Sequence, residues 1–255
     1  MPEESQSRQD FNLRAERDGD RMLVAVAGEL DLTTAPELEE TLAKATPYSL
    51  LEINLASLDF IDSSGLRLLL SERDRAGRSG AEVRIIGAFG AVARVFAISG
   101  LDAELHPRLP DASEPHAEIA PQGGVTAGRF AQVYAALPES VSIIRHTLSD
   151  WARGLGVREE VISALGLAVS EATTNAVVHA YADLTDRGQA TVAVAAEIDD
   201  ALLSVTVADE GRGMRPRPDS PGLGLGLPLI AQMATSFEVH EGPAGGTEVR
   251  MSFAT

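Results

Sequence analysis

Residues 165–181 read LGLAVSEATTNAVVHAY, and the rest of the chain is arranged around them. Leu165, Ala168, Val169, Ala172, Ala176 and Val177 recur at three- and four-residue spacing, which predicts a buried amphipathic helix over Leu165–Tyr181. Glu171 and Asn175 interrupt it one i,i+4 step apart, and His179 extends the row by four more, so the three share one face. A carboxylate and an amide left unpaired in a core would cost about 1–3 kcal/mol each. Either this stripe faces water, or it awaits an external partner such as a metal-bound polyphosphate. His179 reads as a packed or capping residue rather than a catalytic one.

The 255 residues are 44% hydrophobic, enough for one large domain or two small ones, and helical and strand-like segments alternate throughout. The fold class expected is therefore α/β. With 38 acidic residues against 21 Lys plus Arg, the formal charge is −17. Such a surface repels phosphate backbones and anionic lipid, which disfavours direct nucleic-acid or membrane-surface binding. There is no cysteine, so disulfides and thiolate metal sites are excluded. The polar start MPEESQSRQD has no signal-peptide pattern. No apolar run is read as approaching the roughly eighteen residues that span a bilayer. A soluble, cytoplasmic protein is the expectation.

Residues 1–10 read as a solvated tail. Strands are expected around Phe11–Ala15 and Met22–Ala27, separated by an Asp18-Gly19-Asp20 turn. Thr34-Ala35-Pro36-Glu37 has a capping-box pattern with Pro in the first turn, opening a helix to about Ala45. Leu51, Ile53 and Leu55 alternate as a strand. A helix carrying Leu66, Leu69 and Leu70 follows Asp62-Ser63-Ser64-Gly65, then a strand at Val83–Ile86 and a helix at Ala91–Ile98. Residues 106–127 hold Pro107, Pro110, Pro115, Pro121 and a Gly-Gly pair with almost no periodicity, which marks a linker. Two domains result, 11–105 and 128–255. The second is expected to run from a strand near Phe130–Ala136 through a helix at about Glu139–Arg153 to the 165–181 helix. Strands Thr191–Ile198 and Leu202–Ala208, a short helix near Leu227–Ala234 and a closing hairpin around Gly245-Gly246 complete it.

Three further stretches carry chemistry. Leu202–Ala208 runs into Asp209-Glu210-Gly211-Arg212-Gly213. A carboxylate at a strand end can accept a hydrogen bond from an amino group such as adenine N6, and the glycines let backbone approach a flat ring, although an ordinary turn has the same pattern. Gly222-Leu223-Gly224-Leu225-Gly226 leads into a helix, whose opening amides favour phosphate oxygens. Gly245-Gly246-Thr247 precedes the last strand, placing a hydroxyl within reach of a base or a bound water.

Taken in order, these pieces resemble the N, G1, G2 and G3 boxes of the GHKL (Bergerat-fold) ATPases across about residues 128–255. Within that group they are most similar to bacterial anti-sigma-factor serine kinases, whose Ser-Glu-Ala-x-Thr-Asn-Ala block is matched by Ser170–Ala176. The resemblance implies ATP and Mg²⁺ as cofactors. It makes Glu171 the general base and Asn175 the Mg²⁺ ligand. Asp209 would read adenine, Gly211 and Gly213 pack near the base, Gly222, Gly224 and Gly226 bracket the phosphates, and Thr247 support the adenine pocket. The short lid Met214–Pro221 carries Arg215 and Arg217 but no lysine.

Asp62-Ser63-Ser64-Gly65 reads from its residues either as a helix N-cap or as a phosphoacceptor at a positive helix end, where phosphate would add a charge of about −1.5 to −2. Residues 11–105 resemble STAS-type anti-sigma-factor antagonists, through Gly28-Glu29-Leu30-Asp31 and Phe60-Ile61-Asp62-Ser63-Ser64-Gly65-Leu66. The resemblance implies that Ser63, directly after the aspartate, is the phosphorylated serine, and that the domain is a protein-binding switch.

The two resemblances together imply a partner-switching regulator: an ATP- and Mg²⁺-dependent serine kinase domain fused to its substrate, acting on Ser63 in its own chain or a dimer mate's. A flexible linker of about 22 residues spans roughly 25–28 Å and holds tethered domains at an effective concentration of order mM. Implied partners are a sigma factor, a separate STAS antagonist or anti-sigma kinase, and a second copy in a homodimer. Three rivals exist. A non-catalytic, nucleotide-dependent binding module would sequester partners without transfer. A sensor histidine-kinase fragment needs a dimerisation helix pair with a phosphoaccepting His, and the helices before the site offer only His146. Larger GHKL machines need a transducer domain.

Overall fold

The computed structural model describes residues 11–101, 128–180, 190–211, 213, 225–242 and 245–255. The chain divides into two compact units, Met1–Glu114 and Pro115–Thr255. The expected tail (1–10) and linker (106–127) lie outside the described residues, as does Tyr181.

In the first unit β1 (Asn12–Asp18) and β2 (Arg21–Leu30) form a hairpin that turns through Gly19 at φ +59°. Then come α1 (Ala35–Ala45), β3 (Leu50–Ile61), α2 (Ser63–Ser79), β4 (Glu82–Ile86) and α3 (Gly90–Ser99). The sheet order is β1-β2-β3-β4, antiparallel at the first pair and parallel thereafter. Burial alternates along β2 as its sequence alternates, so Val24, Val26 and Leu30 meet Leu51, Ile53 and Leu55 of β3 in one core. Leu38, Leu42, Leu66, Leu69 and Phe96 close it from the helices.

Two local expectations change. Strand β3 runs to Ile61, well past Leu55, because its far half pairs with the end of β2 across a bulged register at Ala25–Glu29. The capping box does not form. The Thr34 hydroxyl donates to Glu29 O (2.7 Å) and accepts from Asp31 N (2.9 Å), so it pins the β2–α1 turn rather than capping α1. On the far side of α2, buried Glu72 accepts from Tyr48 and from Arg75 Nε (2.7 Å), and Arg75 lies over the Tyr48 ring.

The second unit contains β5 (Gly128–Ala135), α4 (Pro138–Gly154), α5 (Glu159–Asn175), a π-helical turn (Ala176–Ala180), β6 (Thr191–Asp199), β7 (Leu202–Asp209), α6 (Gly226–Met233), β8 (Ser236–Glu241) and β9 (Thr247–Ala254). Its sheet, ordered β5-β6-β7-β9-β8, is antiparallel throughout. Val192, Val194, Leu203, Val205, Val207, Val249, Met251 and Phe253 alternate onto the buried face. Phe130 packs on Trp151 of α4 at 5.7 Å between ring centroids.

The decisive helix starts six residues earlier than its apolar period suggests, with Glu159 and Glu160 in the first turn where they favour the helix dipole. It closes in the π turn instead of continuing as α-helix to Tyr181. Glu159–Ala180 is also long and apolar enough to cross a membrane, contrary to the expected absence of such a run. It is 78% buried within the domain, and a helix enclosed on most sides is apolar on most sides.

Candidate functional site

Helix α5 supplies the first half of the site. Glu171 is 2% exposed, so the choice between a solvated stripe and an enclosed one falls to the enclosed one. Asn175 stands one turn on, at the junction with the π turn. Its Nδ2 is buried and has no hydrogen-bond partner among the described residues. Gly226, the first residue of α6, faces both side chains. A β-carbon there would lie 2.8 Å from Glu171 Oε2 and 3.7 Å from Asn175 Nδ2, so only glycine leaves the space beside them open. His179 lies in the π turn, half-buried.

Strands β7 and β9 supply the second half. Asp209 is 8% exposed at the end of β7, and its Oδ1 accepts from Gly211 N (2.9 Å) and Thr247 N (3.2 Å). Burial pushes the Asp209 carboxyl above its ordinary range, and the two amides and the Thr247 hydroxyl pull it partly back. The surrounding glycines are steric requirements. A β-carbon on Gly246 would sit 1.8 Å from Asp209 O, and one on Gly211 would sit 2.4 Å from Ala180 O. Gly213 and Gly245 hold φ of +72° and +98°, which L side chains rarely adopt.

These contacts join the two halves. Gly211 rests on Ala180 at the end of the π turn, whose start follows Asn175, and Asn175 faces Gly226. Glu171, Asn175, Asp209, Gly211, Gly213, Gly226 and Thr247 are thereby linked around one end of the unit. Gly222, Gly224, Arg215 and Arg217 lie outside the described residues. Among the described residues no group of three or more His, Cys, Asp or Glu is placed to hold a metal. Sequence reasoning missed Arg145 of α4, which is 3% exposed and donates from Nη1 to Ser170 Oγ (3.0 Å), next to Glu171. A lone arginine in an amphipathic helix carries no signal that it points inward.

The acceptor loop of the first unit is built differently. Asp62 caps α2, its Oδ1 accepting from Ser64 N (2.8 Å) and Gly65 N (3.2 Å), so the N-cap reading holds. Ser63 and Ser64 are 6% and 8% exposed. Gly65 packs so closely that a β-carbon would lie 2.8 Å from Ile61 Cγ1 and Leu30 Cγ. Asp62 N donates to Leu30 O (3.3 Å), which sets Asp31 beside this loop. Asp31 Oδ1 in turn accepts from Thr33 N (2.9 Å) and Thr33 Oγ1 (2.7 Å).

A buried carboxylate and, one turn on, a carboxamide thus face the glycine that opens α6, with the Asp209 corner in the same unit. Residues 134–253 match the histidine kinase-like ATPase domain family, and residues 12–112 match the STAS domain family. Over 129 residues the chain is 31% identical to the anti-sigma F factor of Clostridium acetobutylicum, which covers 46% of this chain and 87% of that protein. Over 85 residues it is 35% identical to an anti-sigma-B factor antagonist of Staphylococcus aureus, covering 32% of this chain and 79% of that protein. A solved anti-sigma factor antagonist from Mycobacterium paratuberculosis is 26% identical, with 39% of this chain and 86% of that chain covered, at a TM-score of 0.36.

The chain belongs to the anti-sigma factor and antagonist partner-switching family, with a STAS domain followed by a histidine kinase-like ATPase domain.

Proposed function

We propose that the second unit is an ATP-dependent serine kinase whose acceptor is Ser63, in the same chain or a second copy, and that this transfer switches binding to a sigma factor. The observation that carries the proposal is enclosed Glu171 with Asn175 one turn on, both facing Gly226, and Asn175 Nδ2 unanswered among the described residues. A buried donor without an acceptor costs free energy that a phosphate oxygen would return. With the amide turned, Asn175 Oδ1 would instead face a hard cation. The donor set therefore fits Mg-ATP, because Mg²⁺ is held through few protein oxygens plus substrate phosphates. When bound, Mg²⁺ would neutralise charge on the phosphates.

The residues then divide the work. Asp209 accepts from the adenine amino group, with Gly211, Gly213 and Thr247 shaping that corner. Gly226 admits the phosphates beside Asn175, and the resemblance assigns Gly222 and Gly224 to the same task. Glu171 takes the proton of the attacking hydroxyl, a role worth roughly 10²–10⁴-fold in such chemistry. Phosphate on Ser63 would stand against Asp62 and near Asp31, and the repulsion would remodel the loop that a partner reads. A sigma factor and a separate antagonist are the partners this reading takes from the family, and the cytoplasm is the compartment it proposes.

Incubating the full chain with ATP and Mg²⁺ and mapping phosphate by mass spectrometry tests the proposal: label at Ser63 supports it, and an unlabelled chain overturns it. The low exposure of Ser63 favours one second reading, a nucleotide-dependent binding module without transfer. That module would bind ATP yet leave Ser63 unmodified in the same experiment.

A further inference from the structure

Asn175 Nδ2 is not alone. Thr173 Oγ1 and Thr174 Oγ1, on the two residues before it, are also buried with no hydrogen-bond partner among the described residues. Thr173 is 0% exposed and Thr174 5%. A threonine in a helix commonly donates to a carbonyl three or four residues earlier, as Thr41 does to Glu37 O at 3.0 Å and Thr147 to Ile143 O at 2.8 Å. Neither hydroxyl of this block does so. A buried hydroxyl without a partner is costly unless a bound group supplies one.

Helix geometry separates the two. An α-helix advances about 100° per residue, so Asn175 stands about 40° to one side of Glu171 and Thr174 about 60° to the other, whereas Thr173 is about 160° away. Thr173 continues the row of Leu165 and Val169, each 0% exposed, on the face turned from Glu171. Thr174 is the hydroxyl that shares the face of Glu171 and Asn175, the two side chains beside the space that Gly226 keeps open.

We propose that Thr174 Oγ1 donates a hydrogen bond to an oxygen of the γ-phosphate of Mg-ATP. The inference rests on the nucleotide site and the base set out above. Glu171, as the base, lies beside the hydroxyl that attacks the γ-phosphorus. Thr174 flanks Glu171 one turn on, which sets it at the same end of the triphosphate. A phosphate oxygen is charged and only accepts, so a hydroxyl free to donate suits it, and a charge-assisted bond of this kind is among the stronger ones. Thr173 is the comparison built into the same helix: the same hydroxyl, equally without a partner, on the opposite face.

The test titrates the full chain by calorimetry, in Mg²⁺, with ADP and with the β,γ-imido analogue of ATP, which cannot transfer its phosphate. It also records the thermal unfolding midpoint of the ligand-free protein. Thr174→Val deletes the hydroxyl and keeps the shape. It is expected to weaken binding of the analogue about 10–100-fold, as for one hydrogen bond to a charged group, while ADP affinity and the ligand-free midpoint do not fall. Thr174→Ser retains a hydroxyl and should return analogue affinity to near the parental level. Thr173→Val should bind both nucleotides as the parent does, with a midpoint at or above the parent's, because it removes a buried hydroxyl away from the site. Unchanged analogue affinity in Thr174→Val, an equal loss for ADP, or an equal loss in Thr173→Val overturns the contact. So does a ligand-free midpoint lowered by Thr174→Val, which would mark a packing defect. If the unaltered chain binds the analogue but carries no label from ATP, the transfer falls and the Thr174 contact is still decided by the same titrations. If the unaltered chain binds neither nucleotide, the nucleotide site and the contact fall together.

Discussion

The loop at Ser63 in the first unit and the pair at Glu171 in the second are built differently. Around Ser63 several polar groups are tied to close neighbours: Asp62 Oδ1 caps α2, Arg67 donates to both serines, and Asp31 is held by Thr33. Around Glu171 a buried amide donor of Asn175 is unanswered among the described residues, and a glycine keeps space open. A pocket left incomplete gains its missing partner only on binding. The contrast suits a switch on one side and a nucleotide site on the other.

The largest effect that would sharpen the contrast is on transfer. Glu171→Gln keeps the shape of the site and should lower phosphorylation by about 10²–10⁴-fold while nucleotide still binds, read by label incorporation beside calorimetry. Unimpaired transfer would remove Glu171 as the base. Next comes Asp209→Asn, expected to weaken adenine nucleotide binding by roughly 10–100-fold, as for one hydrogen bond to a charged group. The pH dependence follows the same residue. Burial raises its folded pKa above the unfolded value, so as pH falls through the folded pKa the native state takes up a proton before the unfolded chain does. Folding stability from this group then rises on acidification and levels off below the ordinary carboxylate range, while nucleotide affinity falls. Affinity measured against pH should show that loss in the parent and not in Asp209→Asn.

Smaller effects concern stability. Gly246→Ala drives a β-carbon into the Asp209 carbonyl, and should cost about 1–3 kcal/mol or more of overpacking, seen as faster hydrogen exchange in β7 and β9. Unchanged exchange there would mean that the corner yields freely. The least is Asp62→Ala, which removes the α2 cap and should cost about 0.5–2 kcal/mol in the first unit with nucleotide affinity unaltered. A change in nucleotide affinity would contradict the separation of the two sites.

Much of this was legible in the chain. Period-2 and period-3.6 patterns located most strands and helices among the described residues, because one face of each element must be buried, although β3 runs six residues past Leu55 and α5 begins six residues before Leu165. The misses have physical causes. The Thr34 hydroxyl had two possible uses with the same local sequence, and here it closes the β2–α1 turn. The start of α5 carries Glu159 and Glu160, which hide it from a search for apolar period. Arg145 looks solvent-facing until its neighbours are placed.

Sequence alone determined the two-domain organisation, the class of each domain and the candidate residues Glu171, Asn175, Asp209 and Ser63, because spacing along a helix or at a strand end is a local property. Only the tertiary structure decided that Glu171 is enclosed, that Gly226 faces it, that Gly246 is forced by the Asp209 carbonyl, and that Arg67 donates to Ser63 O and Ser64 Oγ. Burial and side-chain direction arise where distant segments meet, and no local pattern encodes which atoms will be within 3 Å of one another.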